Sequence, residues 1–201
     1  MQVKVLQLNH LKPFSEYERY LPLVSDRRRE KIQSLKNDKD KIVSLFSELF
    51  ILSIVGVSPK DILYNEYGKP YVDRTGYHFS ISHSHSLIVF VSDSLPVGID
   101  IEPITDKKWP AVRFFTPNEK ALVKSPEDFY TIWTKKEAYI KMLGTGLSTP
   151  LSSFDVTESI PETRFLSTHT HNHIISVCTK NNQNTTLNLH FLSEKDFLSL
   201  L

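Results

Sequence analysis

A single cysteine, Cys178, stands among the 201 residues, so no intramolecular disulfide framework holds this chain together and no cysteine cluster is available for structural zinc. Net charge is nearly absent as well: 24 Lys and Arg face 23 Asp and Glu, a formal +1. That balance excludes a bulk electrostatic grip on nucleic acid or membrane, and leaves only a local basic patch open. No stretch approaches the ~18 uninterrupted apolar residues of a membrane span. The N-terminus alternates Val3, Val5, Leu6 and Leu8 with polar residues, and shows neither the charged n-region nor the apolar h-region of a secretory signal. These absences predict a cytoplasmic protein without a nucleic-acid or membrane partner. What is present is ordinary for a globular chain, with 40% hydrophobic and 23% charged residues, enough to bury a core in one domain or two small ones.

The order of elements follows from periodicity and capping. Residues 2–9 predict a strand. Ser25 or Asp26 caps a helix running through Arg29 and Ile32 toward Leu35, and Asn37 or Asp38 starts a longer one. Ile42, Leu45, Phe46, Leu49 and Phe50 recur there at helical spacing up to Gly56. Ile62–Tyr64 is a short strand before the turn Tyr67-Gly68-Lys69-Pro70. Phe79–Ser82 and Leu87–Ser92 form two strands joined by a His/Ser-rich turn, and Val97–Glu102 is a further strand after Pro96. Thr116-Pro117-Asn118-Glu119 is a capping-box helix start. Ser125-Pro126 opens a helix that ends at Gly144, and short β-branched runs follow, including Ile174–Cys178 and Thr185–Leu192 around a polar turn at Lys180–Asn184. Strand, helices, strands therefore occurs twice. The expected fold is α+β, with two similar halves, 1–96 and 97–201, arranged as a pseudo-dimer.

Carboxylates dominate the chemistry-bearing residues. In Val97-Gly98-Ile99-Asp100-Ile101-Glu102 the period of two sends Ile99 and Ile101 to one face and Asp100 and Glu102 to the other. Two carboxylates ~4 Å apart at an effective dielectric of ~20 repel by about 4 kcal/mol, which a divalent cation would relieve. A half-exposed strand with an acidic outer face would carry the same pattern. Glu137 and Lys141 stand four apart on one helix face. They read either as a solvated ion pair or as a third metal-binding acid with a lysine for a nearby phosphate.

Taken together and in order, five segments resemble a known family. They are Tyr67-Gly68-Lys69-Pro70; Phe79-Ser80-Ile81-Ser82-His83-Ser84; Val97 to Glu102; Phe114-Phe115 with Glu119; and Trp133 to Lys141 followed by Gly144-Thr145-Gly146-Leu147. Over roughly residues 20–156 the chain is similar to the 4′-phosphopantetheinyl transferases, of the larger two-half type. The resemblance implies Mg²⁺-dependent transfer of the phosphopantetheine arm of coenzyme A to a serine of an apo acyl or peptidyl carrier protein. It implies an active site in the cleft of a monomer, and release of adenosine 3′,5′-bisphosphate.

By the same resemblance Asp100, Glu102 and Glu137 hold the metal, Glu137 is a candidate base for the carrier serine, and Lys141 stabilises the leaving phosphate. The coenzyme's 3′-phosphate falls to Arg28, Lys31 and His83, with Ser44 and Ser82 nearby, and Gly68, Lys69 and Pro70 shape the adenine-side wall. Arginine stands at 28 where lysine is familiar, and Ser80 where asparagine is usual. Glu119 matches a family acid near the site, yet the capping box also accounts for it. Two other functions fit the carboxylates: a metal-dependent phosphodiesterase or phosphatase, and a catalytically silent module binding coenzyme A or a carrier. His169, His171 and His173 alternate as zinc ligands on one strand would, although Asn172 suggests a turn within the run.

Overall fold

The computed structural model of the protein describes residues 1–8, 12–106, 109–180 and 186–201. The last residue of the expected first strand, most of the polar turn at Lys180–Asn184 and the first residue of the strand expected at Thr185–Leu192 lie outside these.

The architecture is mixed α+β. β1 (Gln2–Gln7) leads through short helical turns to α1 (Asp26–Ser34) and α2 (Asp38–Val55). Ser25 and Asn37 cap these helices by accepting from the backbone N–H of Arg28 and Asp40. β2 (Leu63–Tyr64) and β3 (Pro70–Tyr71) form a small ribbon around the Tyr67–Lys69 turn. β4 (His78–Ser84) and β5 (Leu87–Asp93) follow as an antiparallel hairpin. The first of these strands is longer than Phe79–Ser82: His83 and Ser84 pair with Ile88 and Leu87, so His83 sits on a strand and the reversal falls at His85, whose φ is 53°.

β6 (Val97–Pro103), α3 (Pro117–Leu122), α4 (Pro126–Leu143), β7 (Arg164–Thr170) and β8 (His173–Thr179) build the next unit, with sheet order β6-β8-β7. The chain then returns. β9 (Asn188–Ser193) pairs in parallel with β1, completing the order β4-β5-β1-β9, and α5 (Glu194–Leu198) closes on the same side.

Alternation along the strands sorts two cores. Leu6, Leu8, Ile88 and Phe90 face α1, α2 and α5, packing with Phe46, Phe50 and Phe197. The opposite face, Val3, Val5, Val89 and Val91, packs against Ile99, Ile101, Ile175 and Val177 of the second sheet. β6 therefore spends its apolar face on the interior between sheets, and its other face, with Asp100 and Glu102, is turned toward α4.

Phe197 ties the returning segment to the first core: its ring centroid lies 5.5 Å from that of Phe50 and 6.0 Å from that of Phe46. Tyr17 adds a hydrogen bond from its hydroxyl to Glu194 Oε1 at 2.7 Å. Phe197→Ala should destabilise the protein by about 3–5 kcal/mol, the usual loss for a buried phenylalanine. Urea unfolding checks this, and a loss below about 1 kcal/mol would show that the C-terminal helix is not integral to the first core.

Candidate active site

The site is assembled where α4 lies on β6. A Cβ built on Gly98 would stand 2.0 Å from the Ala138 carbonyl oxygen and 2.4 Å from the Met142 backbone nitrogen. Helix backbone thus rests directly on strand backbone, a contact that only glycine permits. α4 is fixed at both ends, by the Ser125–Asp128 capping box and by Gly144 in the left-handed conformation (φ 73°). Flush packing brings the outer face of the helix, with Glu137 and Lys141, alongside the acidic face of β6.

Lys141 Nζ donates to Asp100 Oδ1 at 2.6 Å and to Ser82 Oγ at 2.7 Å, and Ser82 Oγ donates to the same carboxylate oxygen at 2.8 Å. Lys141 is therefore paired with Asp100, not with Glu137 in a solvated pair along the helix. Asp100 is 4% exposed, and its second oxygen, Oδ2, is buried without a hydrogen-bond partner. Such an atom loses its hydration with nothing in return, so it marks a place for a donor or a cation. Among the described residues Glu102 accepts only a long bond, 3.4 Å, from Trp133 Nε1. Burial, and then the charge of Asp100, push the Glu102 carboxyl up to about 7, and the same two causes raise Glu137. Three acids are thus crowded around one ammonium group. Among the described residues no group of three or more His, Cys, Asp or Glu stands in metal-ligating arrangement.

Two cavities meet here. One, of about 620 Å³, is lined by Arg27, Arg28, Lys31, Lys39, Ser44, Tyr64, Ser82 and His83. Arg28 and Lys31 reach it from the same face of α1. His83 lines it from β4, still exposed to solvent, and is biased toward its neutral form by partial desolvation and then by Lys141, Lys31 and Arg28. The other cavity, about 260 Å³, is lined by Tyr67, Phe79, Ile81, Ile140 and Leu147 together with Glu137 and Lys141. Gly68, Pro70 and Ile81 form the wall the two share.

The Tyr67–Pro70 turn is docked onto α4. Asn65 Oδ1 accepts from the backbone N–H groups of Tyr67 and Lys69, while Asn65 Nδ2 donates to the Gly144 carbonyl at 2.7 Å. Lys69 Nζ reaches the carbonyls of Val97 and Met142, and burial lowers its pKa to about 8. Lys69 therefore joins the turn to β6 and to the C-terminal end of α4, while its stem walls the smaller cavity.

Glu119 is placed otherwise. It is fully buried, with Oε1 2.7 Å from Lys136 Nζ and 2.9 Å from the Val156 N–H, and with Oε2 on the Thr116 N–H. It lines neither cavity, and its contacts are those of the capping box and a buried ion pair. The three histidines do not share a strand. His171 and Asn172, with φ of 45° and 59°, form the two-residue turn between β7 and β8, separating His169 from His173.

Sequence pattern missed two contributors. Glu48, mid-way along α2, is fully buried and accepts from Arg28 Nε at 2.9 Å. Its only signal was an acid within an otherwise apolar helix face. The backbone role of Gly98 was invisible because it depends on how closely a distant helix approaches.

The 4′-phosphopantetheinyl transferase superfamily model matches residues 96–190, which span β6, α4 and β8. A 4′-phosphopantetheinyl transferase of Bacillus subtilis is 38% identical over 155 residues, covering 70% of this chain and 69% of the relative. The chain belongs to the 4′-phosphopantetheinyl transferase family. The transferase Sfp of Bacillus subtilis strain 168 is 36% identical over 157 residues, with 70% and 69% covered. The transferase gsp of Aneurinibacillus migulanus is 36% identical over 153 residues, with 70% and 64% covered. As a phosphopantetheinyl transferase the protein is an enzyme, and the contact of Gly98 with α4 lies within the matched segment.

Gly98→Ala should separate α4 from β6. Overpacking costs about 1–3 kcal/mol where side chains yield, and more where backbone must move. The melting temperature should fall and transferase activity should drop at least tenfold in whatever remains folded. A variant with wild-type melting and turnover would mean that the close contact does not set the geometry of Lys141 and Glu137.

Proposed function

We propose that this transferase moves the 4′-phosphopantetheine arm of coenzyme A to a serine of an apo acyl or peptidyl carrier protein, with Mg²⁺, releasing adenosine 3′,5′-bisphosphate. One observation carries this: a cationic cavity and a largely apolar one share a wall beside an acidic cluster. Coenzyme A has the matching asymmetry, with phosphates on the adenosine end and a long uncharged arm. The larger cavity would take the nucleotide, with Arg28, Lys31 and His83 on its 3′-phosphate and Ser44 and Ser82 alongside. Gly68, Lys69 and Pro70 would wall the adenine side, and the smaller cavity would receive the arm.

The chemistry of the acids suits a magnesium ion, although no three of them stand in ligating arrangement among the described residues. All donors are oxygens, Asp100 Oδ2 lacks a partner among the described residues, and burial and then the charge of Asp100 keep Glu102 and Glu137 from ionising readily. Magnesium is commonly held by one or two carboxylates, with waters and substrate phosphates completing its shell. Asp100, Glu102 and Glu137 would hold it, and when bound it supplies positive charge to the pyrophosphate as the bond breaks.

Glu137, its proton affinity raised by burial, accepts the proton of the carrier serine hydroxyl. The serine oxygen bonds to the β-phosphorus of the coenzyme, the bond to the bridging oxygen breaks, and adenosine 3′,5′-bisphosphate departs with the electron pair. Lys141 offers its ammonium to the departing phosphate.

The recurrence of helix on antiparallel strands, α2 on β4 and β5 and then α4 on β6 and β8, supports a pseudo-dimer of halves 1–96 and 97–201 with the site in the cleft, β9 and α5 of the second half crossing over to complete the first sheet and core. The enzyme would act as a cytoplasmic monomer. Among the described residues no helix is long and apolar enough to cross a membrane.

Incubation with coenzyme A, Mg²⁺ and an apo carrier should add the mass of the arm to the carrier, and Glu137→Gln should cut that rate by at least about a hundredfold in a folded protein. Coenzyme A cleavage without carrier would instead mark a hydrolase. A second expectation concerns pH. Glu102, at about 7, and Glu137 both have folded pKa values above the unfolded 4.5, so above pH ~4.5 the metal-free folded protein binds more protons than the unfolded chain. Their contribution is present below pH ~4.5 and declines as pH rises, that of Glu102 being lost through about pH 7. Melting temperature in chelator should therefore decline from pH 5 to 8, and Mg²⁺ should raise it more at pH 8 than at pH 5. Equal melting with and without Mg²⁺ at pH 8 would count against the metal assignment.

A further inference from the structure

The larger cavity owes its arrangement to an acid that does not line it. Glu48 is fully buried in α2 and its carboxylate collects three donors: the Ser25 backbone N–H on Oε1 at 2.6 Å, and Arg28 Nε at 2.9 Å and the Tyr64 hydroxyl at 3.3 Å on Oε2. Each partner leads into the cavity. Ser25 is the N-cap of α1, so Glu48 pins the start of that helix against α2 and sets where Arg28 and Lys31 emerge. Tyr64 carries the Arg27 guanidinium over its ring at 4.0 Å. Arg28 itself is held twice, through Nε on Glu48 and through Nη1 on Ser44 Oγ at 3.2 Å.

A guanidinium is a planar fork, so fixing Nε and Nη1 fixes the direction of every remaining N–H. An arginine already immobilised loses little rotamer freedom when an anion arrives, whereas a free one must be ordered at that moment. The buried carboxylate also offsets the mutual repulsion of Arg27, Arg28 and Lys31, whose crowding lowers the pKa of Lys31 after burial itself.

We propose that Glu48 is a positioning residue that aims Arg28 at the coenzyme's 3′-phosphate and so sets the preference for coenzyme A over its 3′-dephospho form. This rests on the assignment of the larger cavity to that phosphate. Glu48 touches no substrate and acts through Arg28.

The test is the ratio of kcat/KM for coenzyme A to that for 3′-dephospho-coenzyme A, with the same apo carrier, in wild type, Arg28→Ala, Glu48→Gln and the double variant. Wild type should favour coenzyme A, and each single variant should lower the ratio about tenfold or more through KM, as loss of a charge-assisted contact does. The double variant should be no worse than Arg28→Ala, because both act on one contact. A folded Glu48→Gln protein with the wild-type ratio overturns the proposal, as does one that loses both substrates equally, which marks a purely structural residue. A wild type indifferent to the phosphate, or an Arg28→Ala protein with unchanged ratio, overturns the cavity assignment beneath it. Should Glu48→Gln fail to fold, Glu48→Asp, shorter by one methylene, is read the same way: a lowered ratio supports the proposal and a wild-type ratio overturns it.

Discussion

The contact on which the rest of the site depends is the meeting of two backbones at Gly98. Side chains normally stand between a helix and the strands it covers and hold the two backbones apart. With no Cβ in the way, the carbonyl of Ala138 settles against the strand, and the next turn of α4 presents Lys141 to a carboxylate at 2.6 Å. The turn at Tyr67–Pro70 then docks on the end of the same helix through Asn65 and Lys69, which gives the two cavities their common wall. One missing methyl group thus positions Glu137, the Lys141 ammonium and a partition between two cavities.

Electrostatics follow from that geometry. A single ammonium can compensate one of three neighbouring carboxylates. At an effective dielectric of ~20 each remaining like pair at ~4 Å costs about 4 kcal/mol if fully charged. The protein answers by keeping Glu102 and Glu137 reluctant to ionise, burial being the larger cause and Asp100 the second. This is a site whose charge is incomplete, and stability is spent on holding it so.

How far the sequence disclosed this varies with the range of the interaction. The alternation in Val97–Glu102 assigned Ile99 and Ile101 to the interior and the acids to the opposite face, because strand periodicity is a local property. Capping residues Ser25, Asn37, Thr116 and Ser125 marked helix starts for the same reason. The parallel return of β9 onto β1 left no local trace, since a short edge strand looks alike whichever partner it chooses. His83 read as a turn residue because the His/Ser run hides where pairing stops; the left-handed backbone at His85 decides it. Lys141 had an obvious partner one helical turn away in Glu137, and only the packing of α4 on β6 reveals that it chose Asp100.

Buried acids sort themselves by what their oxygens lack. Glu119 has both oxygens satisfied by groups that serve only the fold: Lys136, the Val156 N–H and its own capping box. Nothing is left over for a ligand. Glu48 is equally satisfied, yet its partners Arg28 and Tyr64 carry cations into a cavity, so its charge is felt by whatever binds there. Among the described residues Asp100 alone retains a buried side-chain oxygen with no partner. A fold that satisfies Glu119 down to its second oxygen has the means to satisfy Asp100 too, for instance with a hydroxyl in place of a neighbouring apolar side chain. Instead it leaves Oδ2 bare among the described residues, and the charge of that carboxylate raises the pKa of both Glu102 and Glu137.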